Sequence, residues 1–173
     1  MTHLVPGGGD SLSREVNVDG DGLTRMCRLV FASDVASVAL ARRSCREAVQ
    51  AWGISDVIDQ RAAELLVSEL VTNAVQHTVA DIEVQFSWDN AQLRVAVADD
   101  DPRAPAPRQA ARTDVRGRGL AIVAAMSTQW GVEPRAPGKT VWFTMAKAPI
   151  LTGLEVPSAS EPTQAPPALS PSN

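Results

Sequence analysis

The feature that most constrains this chain is a pair of alternating apolar segments separated by a short polar turn. In each segment every second residue is apolar, which is the period of a β-strand with one buried face. Asp89 and Asn90 stand between the segments, and both residue types favour a tight reversal. The pattern predicts an antiparallel hairpin whose core-facing positions are Ile82, Val84, Phe86, Trp88, Leu93, Val95 and Val97.

A helical pattern precedes this hairpin and runs from about residue 57 to 77, with Asp56 as a predicted N-cap. Within it, Glu69, Asn73 and His77 are spaced four residues apart, so their side chains share one helix face. A polar row beside an apolar stripe is solvated, paired inside the fold, or used for a ligand. The row alone leaves these three alternatives open.

The remaining elements are shorter. A glycine-bearing corner at Gly117 to Gly119 leads into a short apolar helix, and such a corner presents free backbone N–H groups to an anion. Other patterns predict a strand at Met26–Phe31, a helix capped by Ser33 or Asp34 and ended by Gly53, and a hairpin of Trp130–Glu133 with Thr140–Met145.

The chain length of 173 residues fits one folded domain with flanking segments. The composition predicts a disordered leader at residues 1–24 and a folded domain at residues 25–147. It also predicts a disordered tail, rich in Pro, Ser and Ala, at residues 148–173. The composition predicts a Pro, Ala and Arg loop over residues 102–116, whose arginines would either close over a ligand or be solvated. Any basic partner surface would involve Arg42, Arg43 and Arg46, although a solvated helix face is the usual meaning of such a run.

A net charge of −4 argues against nucleic acid or an anionic membrane as the main partner. The chain shows neither a secretory signal pattern nor an apolar stretch long enough to span a bilayer, so we expect a cytoplasmic protein. Cys27 and Cys45 have no zinc-type spacing and are expected to be reduced, buried thiols.

Gly138-Lys139-Thr140 superficially suggests a phosphate-binding loop. That motif needs a glycine where Glu133 stands and a helix after the threonine, whereas this sequence predicts a strand there. His77 and His3 are the only histidines, so no Ser-His-Asp or Cys-His catalytic set can be assigned.

Taken together, four segments resemble the GHKL family of ATP-binding proteins, the group that contains histidine-kinase catalytic domains, heat-shock protein 90 and DNA gyrase. Within it, the chain is most similar to the stand-alone anti-sigma-factor serine kinases of actinobacteria. Glu69 to His77 resembles the N box, Val95 to Pro102 a degenerate first glycine box, Arg116 to Leu120 the second, and Gly138 to Thr140 the last.

The resemblance implies an α/β fold: a two-layer sandwich of a mixed, mostly antiparallel sheet and about three helices, of the Bergerat type. ATP would lie between the sheet and the helix that carries Glu69. In this interpretation Asp99 accepts a hydrogen bond from the adenine amino group, Asn73 ligates Mg²⁺, and Glu69 is the catalytic base. Further nucleotide contacts are expected from His77, Arg116, Gly117, Arg118, Gly119, Leu120 and Thr140.

Each assignment has a plainer alternative. Glu69 can be a surface carboxylate, Asp99 a turn cap, His77 a helix-end cap and Thr140 an ordinary strand residue. Asp100 and Asp101 replace the usual pattern of the first glycine box, so two further carboxylates would lie near the phosphates and repel them unless Mg²⁺ or arginine intervenes.

The function implied by the resemblance is an anti-sigma-factor-like serine/threonine protein kinase that regulates transcription by partner switching. Its partners would be a sigma factor and an antagonist protein, with homodimer formation compatible with the exposed elements. The alternative is a partner-sequestering module with little or no ATP turnover.

Overall fold

The computed structural model describes residues 15–18, 24–103 and 119–148. These residues form two layers, a sheet and a set of helices. The elements are β1 (Glu15–Val18), β2 (Arg25–Phe31), α1 (Val35–Ala51), α2 (Gln60–His77), β3 (Ile82–Trp88), β4 (Gln92–Asp99), α3 (Gly119–Met126), β5 (Gln129–Pro134) and β6 (Lys139–Ala146).

The strands form one sheet in the order β1-β2-β3-β4-β6-β5. Every neighbouring pair is antiparallel, so the mixed sheet expected from the resemblance is antiparallel throughout its described part. The predicted α/β sandwich is confirmed.

The β3–β4 hairpin follows the predicted pattern. Asn90 has a φ of 69°, and Asp89 Oδ1 accepts hydrogen bonds from the backbone N–H groups of Ala91 and Gln92 at 2.9 and 2.7 Å. Such side-chain-to-backbone bonds close a tight reversal without help from the rest of the fold. The reversal sets the strand register, which places the apolar positions together in the core.

The two faces of the sheet differ in character. The inner face buries Val84, Phe86, Val95 and Phe143 completely, against Leu66 and Leu70 of α2 among others. The outer face carries polar and aromatic side chains, with the Arg94 guanidinium 4.9 Å from the centre of the Trp142 ring. A side chain on β4 or β6 therefore faces either the helices or the outer surface, according to its position in the alternation.

The cysteines are buried and do not form a disulfide with each other, as expected. Burial raises the pKa of the Cys45 thiol to about 12, with the Glu64 carboxylate adding to the effect. Cys45 is therefore a protonated core residue at neutral pH.

Two expectations about element boundaries are wrong. Helix α2 begins at Gln60 rather than near residue 57, because Asp59, not Asp56, is its N-cap and accepts the Ala62 N–H at 3.0 Å. The preceding residues form a turn on the Ile54 carbonyl, which accepts from the backbone N–H groups of Val57 and Ile58.

The second correction concerns the leader. Strand β1 lies inside residues 1–24 and pairs with β2, Val16 opposite Cys27. The remaining bounds of the leader, domain and tail stay predictions, since 104–118 and 149–173 lie outside the described residues.

Candidate functional site

Helix α2 carries the predicted polar row on a face next to the core. Leu66, Leu70 and Ala74 are buried against the sheet, whereas Glu69 and Asn73 are half-buried and His77, the last helical residue, is exposed. Each step of four residues advances about 6 Å along the axis. The row therefore runs from a partly covered carboxylate to a solvent-exposed imidazole.

Glu69 lies against the first residue of α3. A Cβ added to Gly119 would lie 2.6 Å from Glu69 Oε2, so only a glycine lets the two helices approach this closely with the carboxylate in its present position. The first-turn N–H groups of a helix have no intrahelical acceptors, and this end favours negative charge. Gly119 thus positions the Glu69 carboxylate beside the start of α3.

The opposite end of the site is built where β4 ends. Asp99 and Lys139 are direct partners across β4 and β6, and both are almost completely buried. Lys139 Nζ donates to Asp99 Oδ1 at 2.7 Å and to the Asp101 carbonyl oxygen at 2.9 Å. Asp99 Oδ2 is buried and has no hydrogen-bond partner among the described residues. A buried carboxylate oxygen without a donor is costly, so a ligand donor is expected there.

The chain after Asp99 is fixed by side-chain caps rather than by glycines. Asp99 Oδ1 accepts the Asp101 N–H at 3.0 Å, and Asp101 Oδ1 accepts the backbone N–H and Nε of Arg103 at 3.1 and 2.8 Å. The hydrogen bond from the Arg103 side chain lowers the pKa of Asp101 to about 2, assisted by Lys139. The negative charge of Asp101, one of the two carboxylates expected to repel phosphates, is thus matched by Arg103 and Lys139.

Thr78, which follows the last residue of α2, joins this helix to the same strand end. Its hydroxyl donates to Asp100 Oδ1 and accepts the Ala80 N–H, and its carbonyl accepts the Ser33 hydroxyl at 2.8 Å. The C-terminal end of α2 is therefore tied to the residues that follow Asp99. Asn73 lies on α2 between this connection and Glu69.

A family model for the histidine kinase-like ATPase domain matches residues 31–145. The chain belongs to this family. The match spans both ends of the site, from before α1 to the end of β6, and confirms the resemblance inferred from the sequence.

Two individual proteins are similar to this member of the family. An uncharacterized protein of Streptomyces coelicolor is 34% identical over 99 residues, which cover 54% of this chain and 93% of that protein. The structure of the RsbU and RsbW domains of Rv1364c from Mycobacterium tuberculosis aligns with a TM-score of 0.52 and 21% identity, covering 70% of this chain and 33% of that one. At this identity the second likeness concerns the fold.

Within this histidine kinase-like domain, the residue that supports Asp99 is Lys139 and not its neighbour Thr140. Thr140 is paired with Ala98 and Glu133 on the outer face of the sheet, so its side chain is on the opposite side from Asp99. Lys139 supports Asp99 instead. Sequence reasoning missed this lysine, although its spacing of two from Val141 puts it on the inner face.

The other expected nucleotide contacts divide into two groups. Leu120 is 8% exposed and belongs to the hydrophobic core, so its side chain packs rather than faces a ligand. Arg116, Gly117 and Arg118 lie outside the described residues.

The described residues fit the ligands that an ATPase domain implies. The partnerless Asp99 Oδ2 suits the amino group of adenine, which donates a hydrogen bond. No group of three His, Cys, Asp or Glu side chains in the described part could hold a metal ion. Mg²⁺ needs no such group, because it keeps several waters and binds through one or two protein oxygens together with phosphate.

In the described part of the chain, no helix is both long enough and apolar enough to cross a bilayer.

Proposed function

We propose that this domain binds ATP with Mg²⁺ and phosphorylates a serine or threonine of an antagonist protein, acting as an anti-sigma-factor-like kinase. Phosphorylation would decide whether the domain holds the antagonist or a sigma factor, and so would regulate transcription. One observation carries the proposal: Glu69 is seated at the start of α3, while at the other end of the site the buried Asp99 carboxylate keeps one oxygen without a donor.

The Asp99 end would select the base. Adenine presents an amino group as donor at the position where guanine presents a carbonyl oxygen, which a carboxylate repels. A hydrogen bond to a charged group contributes about 1.5–3 kcal/mol. Asp99 is therefore expected to favour ATP over GTP by at least about tenfold.

The middle of the site would face the phosphates. Asn73 offers a neutral amide oxygen as a Mg²⁺ ligand, and Gly117, Gly119 and the arginines at 116 and 118 would contact phosphate oxygens. When bound, Mg²⁺ neutralises charge on the phosphates and holds them in place. His77 is exposed at the end of the same row, where it can reach only the rim of such a ligand.

Glu69 would serve as the base. Its carboxylate would take the proton of the attacking hydroxyl as the hydroxyl oxygen bonds to the γ-phosphorus and the bond to the β-phosphate oxygen breaks, releasing ADP. Its half-buried position would place the carboxylate beside Gly119 at the start of α3 while leaving it open to a substrate. Orientation of this kind accounts for much of the rate in phosphoryl transfer.

A second function is favoured by a specific observation. Asp101 and Arg103 occupy positions at which the family pattern has glycines, and their side chains form an ion pair just after the end of β4. A domain with this box could sequester a partner with little or no ATP turnover. The exposed Arg43 and Arg42 on α1 would then be the natural contact surface.

The experiment is transfer of labelled γ-phosphate from ATP to antagonist proteins encoded in the same genome. The wild-type domain should label a serine or threonine, and Glu69→Gln should reduce the rate by at least about a hundredfold while leaving ATP affinity within about threefold. Glu47→Gln is the matched control, because Glu47 is an exposed carboxylate on α1 that pairs with Arg43.

The outcomes separate the candidate functions. Label transfer that survives in Glu69→Gln overturns the assignment of the base. Phosphate release without any protein acceptor indicates an ATPase, and partner binding without any ATP heat indicates the sequestering module.

A further inference from the structure

Lys139 is a buried cation that the proposed chemistry does not use. Its side chain is 3% exposed, and its ammonium group contacts two acidic residues at once. Besides its bonds to Asp99 Oδ1 and the Asp101 carbonyl, Nζ lies 3.6 Å from Asp101 Oδ2. The ammonium group thus makes two hydrogen bonds and one longer ion pair, all to Asp99 and Asp101 where the chain leaves β4.

The two carboxylate oxygens of Asp99 differ in their hydrogen bonds. Oδ1 accepts from both Lys139 Nζ and the Asp101 N–H, which fixes the rotation of the carboxylate. Oδ2 receives no described donor. Without the lysine, a buried carboxylate would lose its counter-charge and one of the two donors that orient it.

We propose that Lys139 is a positioning residue for recognition of the nucleotide base. It holds the Asp99 carboxylate oriented so that Oδ2 alone accepts the 6-amino group of adenine. The inference rests on the proposed function, because it assumes that Asp99 faces the base of a bound nucleotide.

The neighbouring residues support this role over a purely structural one. Gly138 has a φ of 90°, and a Cβ there would lie 1.8 Å from the Asp99 carbonyl oxygen, so the turn before Lys139 is pressed against the strand end. The end of a paired strand does not need a buried charge for stability, because apolar residues of similar volume are often at least as stabilising. The lysine therefore has a reason to be there beyond packing.

The test compares two nucleotides on the full chain by calorimetric titration with Mg²⁺. Purine riboside triphosphate differs from ATP only in lacking the 6-amino group. The wild type should prefer ATP by at least about tenfold, and Lys139→Met should reduce this preference to about threefold or less, mainly by weakening ATP. Lys147→Met is the matched control, since Lys147 is exposed and is the only other lysine in the chain.

A structural role would give a different result. Equal weakening of both nucleotides in Lys139→Met, or an unchanged preference, overturns the inference but leaves ATP binding in place. Tighter ATP binding by Lys139→Met also overturns it, because the lysine would then compete with adenine for Asp99. Failure of the wild type to bind either nucleotide overturns both this inference and the proposed function.

A second variant covers the case in which Lys139→Met does not fold. Lys139→Gln keeps one donor for Asp99 Oδ1 but removes the charge. The inference expects its ATP preference to fall at least about threefold below that of the wild type. An unchanged preference in a folded Lys139→Gln protein contradicts the inference.

Discussion

Replacement of Gly138 by alanine tests how closely the β5–β6 turn is pressed against the end of β4. A Cβ at this position would lie 1.8 Å from the Asp99 carbonyl oxygen and 2.5 Å from the Asp100 Cα. Both are backbone atoms, and Asp99 is paired with Lys139 of β6, so relieving the overlap requires movement of the end of β4. The positive φ costs about 1–2 kcal/mol, and displacement of the strand end adds about 1–3 kcal/mol. Gly138→Ala should therefore lower the free energy of unfolding by about 2–5 kcal/mol.

Gly53 provides the matched control. It has a similar φ of 67°, but a Cβ there would have nothing within 4 Å, so Gly53→Ala should lose only the cost of the positive φ, about 1–2 kcal/mol. Urea unfolding followed by tryptophan fluorescence measures both losses. If Gly138→Ala costs no more than Gly53→Ala, the close approach of the turn to Asp99 is refuted. ATP affinity should fall in Gly138→Ala alone, because Lys139 follows directly and would be displaced from Asp99.

Three further predictions follow from the described contacts. Gly119→Ala should leave the free energy of unfolding within about 0.5 kcal/mol of the wild type. It should nevertheless slow phosphoryl transfer at least about tenfold, because the new methyl group displaces the flexible end of Glu69. Unchanged transfer kinetics would contradict this prediction. Arg46→Met should lower the free energy of unfolding, because Arg46 makes two hydrogen bonds to a Glu64 side chain that is only 12% exposed. Arg43→Met removes a pair in which both side chains are more exposed, so it should lower the free energy of unfolding less in the same urea assay. The Arg46 hydrogen bond also holds the pKa of Glu64 below its usual value. The stabilisation is therefore complete above about pH 4.3 and is lost as the pH falls through the folded-state pKa of Glu64. The difference in unfolding free energy between wild type and Arg46→Met should shrink on acidification, and a difference that grows would contradict the pairing.

The elements that could be predicted from the sequence are those in which apolar residues recur at the spacing of a strand or a helix. The β3–β4 hairpin follows from strict alternation and from the turn chemistry of Asp89 and Asn90, both of which act within a few residues. Helix α2 follows from its apolar spacing. Its start was misplaced because Asp56 and Asp59 are equally good caps, and the turn on the Ile54 carbonyl decides between them.

The parts that could not be predicted depend on contacts between distant segments. Lys139 and Asp99 are 40 residues apart, and their pairing follows from the β4–β6 register, which no local pattern specifies. Strand β1 has only four residues and forms by pairing with β2. The Thr78–Asp100 hydrogen bond likewise requires α2 and β4 to be in place first. The candidate site was therefore predicted on its helix and incompletely predicted at its strand end.

The central claim, that the Asp99 end of this domain is an adenine site, is tested most directly by titrating the wild-type chain with ATP and GTP in the presence of Mg²⁺ and repeating both titrations with Asp99→Asn. We expect saturable binding of ATP, at least about tenfold weaker binding of GTP, and loss of that preference in Asp99→Asn. Equal affinities of the wild type for ATP and GTP, or no heat with ATP at millimolar concentration, would contradict it.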